Sequence, residues 1–205
     1  MKGGPAHRLL RPVARRTCAT RDRVYRRGLG DRSSGLAFRV GRLGLEHDIA
    51  TLAARLQALE DREAIRELVA QYGPLADCGD AQALAALWCE DGAYEVVGFA
   101  TARGHAEIAA LIDGPVHRQL MADGCAHVLG PLTVAVDGDR ASARGHSVVF
   151  RNSGNGFEAF RVAANRWSLV RTGQGWRVAH RANALLNGDE AARILLSPGD
   201  GQPAS

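Results

Sequence analysis

The stretch from Phe157 to Leu186, FEAFRVAANRWSLVRTGQGWRVAHRANALL, constrains the fold more than any other part of the chain. Apolar and polar residues alternate on both sides of Thr172-Gly173-Gln174-Gly175, the period of half-buried strands joined by a tight turn. Two glycines spaced two apart offer the positive φ that such a connection needs. Trp167 and Trp176 are expected to meet across the hairpin and anchor a curved sheet. An isolated hairpin is marginal in water, so a second layer must cover one face. Helical patterns upstream supply that layer, with a pocket expected between the two.

Upstream, Ile49, Leu52, Leu56 and Leu59 recur at helical spacing, then the stripe breaks near Glu60-Asp61-Arg62. Asp61 reads as the N-cap of a second helix carrying Ile65, Leu68, Val69 and Tyr72. The first helix either packs on its own domain or forms an arm against a partner chain. Gly73-Pro74 disturbs the second helix near its end, and the turn Leu75–Asp80 holds two carboxylates. Asp80 reads as the N-cap of a short helix, Ala81–Trp88. A strand over Ala93–Phe99, a helix over Gly104–Ile112 and a helical turn over His117–Met121 follow. Cys125–Val136 reads as one strand entered through His127, turning at Asp137-Gly138-Asp139 into a strand over Arg140–Phe150. Helices first and antiparallel strands afterwards imply an α+β fold, a curved antiparallel sheet with helices across its concave face and an apolar hollow between.

Charge divides the chain. Residues 1–44 hold twelve Lys/Arg against two acids, whereas the remainder is net acidic by six. The first stretch lacks sustained periodicity and reads as a basic, disordered extension. Without aromatic interleaving it gives no support for nucleic-acid binding. The domain is expected over 45–196, with a disordered tail over 197–205. Cys18, Cys78, Cys89 and Cys125 show no C-x-x-C spacing, so no metal site is expected and a reduced cytoplasmic protein is the simplest reading. No apolar run approaches a membrane span of ~18 residues.

DREAIRELVAQY, the turn ADCGD, LWCEDGAYEV, the hairpin HVLGPLTVAVDGDRASARG and NRWSLVRTGQGWRVAHR, in this order and spacing, resemble the SnoaL-like branch of the nuclear transport factor 2-like superfamily. The resemblance spans roughly residues 45–190 and implies a cone-shaped α+β barrel, a homo-oligomer (dimer or trimer), a small-molecule ligand and no cofactor. Within that branch the pattern is closest to the scytalone dehydratase and hexachlorocyclohexane dehydrochlorinase group. That likeness places Asp77 and His127 as a catalytic pair, Asn165 as a pocket asparagine, Tyr94 near a water-activating tyrosine and Arg181 in the pocket. The departures are Ala76 and Ala163, where the dehydratase has a tyrosine and a serine, and Tyr72, where the dehydrochlorinase has a lysine. Neither substrate carries over.

The chemistry of these residue types agrees with that placement. A neutral imidazole, pKa near 6.5, accepts a proton at pH 7, and a carboxylate on its other nitrogen fixes the tautomer. Proton abstraction from carbon also needs a donor at the developing oxyanion. His127 is expected as general base, Asp77 as its support, and Asn165 with Tyr94 as the polarising donors. Tyr72, Arg181, Trp88 and Trp167 are expected to bind substrate. His105, His117 and His180 read as exposed or structural. The reading is a small cofactor-free lyase or isomerase acting on a mostly apolar cyclic or carbonyl compound. The competing reading is a non-catalytic binding or assembly module on the same fold.

Overall fold

A computed structural model describes the backbone of residues 34–198 and the side chains of 45–198. The extension and tail expected over 1–44 and 197–205 fall mostly outside the described residues. The chain divides into two units, Met1–Leu45 and Glu46–Ser205; the first helix begins in the first unit, and every later element lies in the second.

The elements run α1 (Ser34–Ala70), α2 (Tyr72–Cys78), α3 (Ala81–Ala85), β1 (Trp88–Val96), β2 (Ala100–Arg103), α4 (Gly104–Asp113), α5 (Pro115–Asp123), β3 (Cys125–Leu129), β4 (Thr133–Asp137), β5 (Arg140–Asn152), β6 (Phe157–Thr172), β7 (Gly175–Leu185) and α6 (Glu190–Leu196). The strands form one sheet in the order β2-β1-β7-β6-β5-β3, with β4 also paired to β5. This is the expected α+β architecture of a curved, mainly antiparallel sheet with helices against it. One pairing differs from the expected run of antiparallel strands: β1 lies parallel to β7. The long path through α4, α5 and five strands between them permits a parallel return.

The core lies between sheet and helices. Ile65, Leu68, Val69 and Tyr72 form the expected helical stripe and are buried against Trp88, Trp167, Leu169 and Val178. The earlier stripe behaves differently. Ile49, Leu52, Leu56 and Leu59 are each more than half exposed, so this part of α1 does not pack on its own domain.

Four local expectations are corrected. Asp61 caps no helix; it sits inside α1, which continues unbroken through Glu60-Asp61-Arg62. Its buried carboxylate accepts from Arg171 Nη2 (2.7 Å), Trp176 Nε1 (3.1 Å) and Gln57 Nε2 (3.2 Å). A capping-type residue was thus recruited by the sheet. Trp167 and Trp176 do not meet: Trp167 stands opposite Arg181 and Trp176 opposite Arg171, because the turn sets the register. Only Gly175 of the two turn glycines takes a left-handed φ, +93°. Cys125–Val136 is two strands, β3 and β4, interrupted at Gly130–Leu132, where Pro131 offers no N–H to the ladder.

The Asp61 contacts tie α1 to the β6–β7 turn. The Arg171 hydrogen bond, the strongest influence, holds this carboxyl down to about 2 against the burial that opposes it. The unfolded chain, with an ordinary carboxyl near 3.9, therefore binds more protons between pH 4 and 2. Stability contributed by Asp61 is full above pH 4 and is lost as pH falls towards 2. Asp61→Asn is expected to flatten that limb of a stability-versus-pH curve measured by urea unfolding. Asp61→Ala, which orphans the buried Trp176 N–H, is expected to cost about 1–3 kcal/mol at pH 7.

Candidate active site

Asp77 and His127 are fifty residues apart and belong to α2 and β3. Asp77 lies on the last turn of α2, which stops at Gly79 in the left-handed region, φ +73°. Its carboxylate faces the first residues of β3. Oδ1 accepts from His127 Nδ1 at 2.7 Å, and both oxygens accept from the His127 backbone N–H, at 3.1 and 2.9 Å. Cys125 Sγ donates weakly to the same Oδ1, at 3.5 Å. One carboxylate thus fixes both the strand and the ring.

The approach of α2 to β3 depends on Gly73. A Cβ there would lie 2.1 Å from the His127 carbonyl oxygen, an impossible contact with backbone. The glycine at the start of α2 therefore has a steric reason that helix propensity would not supply.

With Asp77 accepting, His127 Nδ1 carries the proton and Nε2 is the basic atom; among the described residues Nε2 has no hydrogen-bond partner. Burial lowers the His127 pKa below 6.5, and the charges of His117 and Arg181 act in the same direction, against the raising influence of Asp77. The ring is therefore neutral at pH 7. His117, read from sequence as exposed or structural, is buried; its ring centroid lies 5.3 Å from that of His127, and its Nε2 bonds the Ala76 carbonyl at 2.8 Å. It pins α5 to α2 one residue before Asp77.

His127 borders a cavity of about 30 Å³, also lined by Tyr72, Tyr94, Leu129, Ser147, Val149, Arg161, Arg181 and Asn183. This is room for about two waters, smaller and more polar than the apolar hollow expected. Tyr94 and Tyr72 line it as expected. Burial pushes the Tyr94 hydroxyl well above its usual pKa, so it remains a donor. Arg181 also lines it and is 2% exposed. A bulge explains its inward aim: Ser168 pairs with His180 but Leu169 with Val178, so Ala179 is an extra residue. Trp176 and Val178 point inward before the bulge, and Arg181 and Asn183 after it.

Three expected residues are placed differently. Asn165 does not line the cavity. Its Oδ1 accepts from Arg181 Nε (3.1 Å), Arg181 Nη2 (2.8 Å) and Asn183 Nδ2 (2.9 Å), and its Nδ2 donates to Ser147 Oγ (2.9 Å). Its polar atoms are committed, so it reaches the site only through its neighbours. Trp88 and Trp167 are buried in the core and do not border the cavity; Trp88 Nε1 donates to the Ala93 carbonyl. Sequence reasoning missed Ser147 and Asn183. Asn183 lies two residues beyond Arg181 on the same face, a signal hidden by the bulge.

Asp77, Cys125 and His127 bring potential metal-binding atoms within 4.8 Å of one another. Burial, with the Asp77 charge behind it, pushes the Cys125 thiol up to about 11, so it is protonated at neutral pH. A protonated thiol and a ring N–H both donating to one carboxylate make a hydrogen-bonded cluster rather than three free donor atoms.

A curved sheet with helices against it is the nuclear transport factor 2-like architecture, and here it carries a half-buried histidine–aspartate pair. A family model for the SnoaL-like domain matches residues 57–182, and the chain belongs to that family. A crystal structure of an NTF2-like protein with a cystatin-like fold from Novosphingobium aromaticivorans is 66% identical, with a TM-score of 0.72; the match covers 73% of this chain and 97% of that one. Rv3472, a function unknown protein from Mycobacterium tuberculosis, is 26% identical over 67% of this chain and 79% of its own, with a TM-score of 0.59. None of the curated proteins compared with the chain matches it. Among the described residues no helix is long and apolar enough to cross a membrane.

Gly73→Ala is expected to push α2 from β3 and stretch the Asp77–His127 bond, lowering stability by about 1–3 kcal/mol as overpacking does. Gly173→Ala, with open space around it, is expected to stay within about 0.5 kcal/mol of wild type. Thermal unfolding compares the two, and imidazole ¹⁵N shifts report whether His127 keeps its tautomer.

Proposed function

We propose that this protein is a small lyase or isomerase that uses His127 as a general base towards a carbon acid. The observation that carries the reading is the 2.7 Å bond from His127 Nδ1 to Asp77 beside a cavity that the same ring borders. Nε2 takes the proton, Asp77 stabilises the imidazolium that forms, and the Tyr94 hydroxyl donates to the developing enolate oxygen. The electron pair left on carbon then expels a β leaving group or is reprotonated elsewhere. Asn165, expected as a polarising donor, acts in this reading as a positioning residue for Arg181. The substrate is a small cyclic or carbonyl compound, and the chemistry calls for no cofactor.

The non-catalytic module remains the competing reading, favoured by the small volume of the cavity. Solvent deuterium incorporation separates the two, because it reports proton abstraction whatever the later fate of the carbanion. Wild type is expected to exchange the acidic C–H of a bound cyclic ketone in D₂O. His127→Ala is expected to slow exchange by about 10²–10⁴-fold; equal exchange by both proteins would sink the base assignment. The acid limb of the wild-type rate profile is expected below pH 6.5, since burial lowers the His127 pKa. Asp77→Asn removes the influence that raises it, so its limb is expected at still lower pH, with a reduced plateau.

A further inference from the structure

Arg181 is a buried cation without a carboxylate partner among the described residues. Its guanidinium carbon lies 4.1 Å from the Tyr72 ring centroid, 4.3 Å from that of Trp167 and 4.5 Å from that of Tyr94. Both cross-strand neighbours in this cage follow from register, since Arg181 stands opposite Tyr94 on β1 and Trp167 on β6. The fork on Asn165 Oδ1 uses Nε and Nη2. The remaining nitrogen, Nη1, is buried and has no acceptor.

Such an arrangement is costly unless something completes it. A buried charge is normally paired, and a buried N–H normally finds an acceptor. Aromatic faces and one amide oxygen orient this guanidinium but leave it unneutralised. Asp77, the carboxylate beside His127, is already engaged by that residue's ring and backbone. Tyr94, raised in pKa by burial, does not supply a phenolate. Ser147 and Asn183, which also border the cavity, are tied to Asn165. A second cation, the exposed Arg161, borders the same cavity and adds to its positive character.

We propose that the Arg181 Nη1–H is the receptor for an anionic oxygen, so that the natural ligand is a carboxylate or phenolate rather than a neutral, mostly apolar compound. Nη1 is closed to solvent, so the ionic oxygen displaces neighbouring side chains to reach it, and the organic part lies towards Leu129 and Val149. This binding claim does not require His127 to act as a base.

Isothermal titration with matched probes tests it. Benzoate and benzamide share shape and differ in charge; 4-nitrophenolate and nitrobenzene separate a phenolate from a carboxylate source. Wild type is expected to bind at least one anion ten or more times tighter than its neutral partner. Arg181→Met, which keeps an apolar stem in the cage, is expected to bring that ratio within about twofold of unity. Arg161→Ala and His127→Gln are expected to keep the preference, which separates this site from the rim cation and from the proposed base. Arg181→Lys, which keeps the charge without the fork, is expected to retain part of it. Wild type binding neither anion better than its neutral partner would overturn the proposal. So would an undiminished preference in Arg181→Met, or its loss in Arg161→Ala alone. Because the wild-type comparison needs no substitution, the proposal stays testable if Arg181→Met does not fold.

Discussion

The carboxylate of Asp77 is the bracket between the helical layer and the far edge of the sheet. It accepts the backbone N–H of His127 with both oxygens and the ring Nδ1–H with one. Hydrogen bonds to an ionised acceptor are stronger than neutral ones, and this carboxylate collects them from the backbone and the side chain of one residue. Strand position and imidazole tautomer are therefore set together. Gly73 makes the approach possible at one end of α2, and Gly79 ends the helix just past the carboxylate at the other. The His117 bond to the Ala76 carbonyl then fixes α2 from a third direction.

A second polar network runs beneath the first. Asn165 Oδ1 gathers three donors, two from Arg181 and one from Asn183, while its amide nitrogen reaches Ser147. A buried network of this kind is tolerable only when nearly every member is satisfied. Here it is complete apart from Nη1, which belongs to a residue bordering the cavity. The incomplete member thus lies on a side chain that also lines the open space. Trp167 Nε1, the other buried donor without an acceptor among the described residues, belongs to a ring of the same aromatic cage.

The fold was legible because its signals are periodic. The β6–β7 hairpin, the Asp137-Gly138-Asp139 turn and the Ile65–Tyr72 stripe each follow from spacing that the structure keeps. The candidate site was legible only in part. Asp77 and His127 are brought together by a helix–strand contact that local pattern does not encode, and the family resemblance alone paired them. Arg181 could not be assigned a face from alternation, because the extra residue at Ala179 resets the parity of β7. Asn165 was read as a pocket donor because its type suits that work; its neighbours on β5 and β7 decide otherwise. Asp61 went astray for the opposite reason. A local capping rule fitted it well, yet Arg171 and Trp176, more than a hundred residues later, claimed its oxygens.

The two networks place opposite electrical demands on one small space. His127 must be neutral to accept a proton, and burial together with the nearby Arg181 charge favours the neutral ring. The same positive charge favours any negative oxygen that forms or arrives within reach of Nη1. In the proposed reaction a cation so placed costs the base some proton affinity and stabilises the oxyanion, the balance a carbon acid requires once its proton has left. Asp77 restores part of that affinity through Nδ1 while its oxygens stay on β3, and Asn165 holds the guanidinium on the other side of the cavity. The helix-to-strand bracket and the β7 bulge are thus complementary devices, one presenting the imidazole and the other the guanidinium that lines the same cavity.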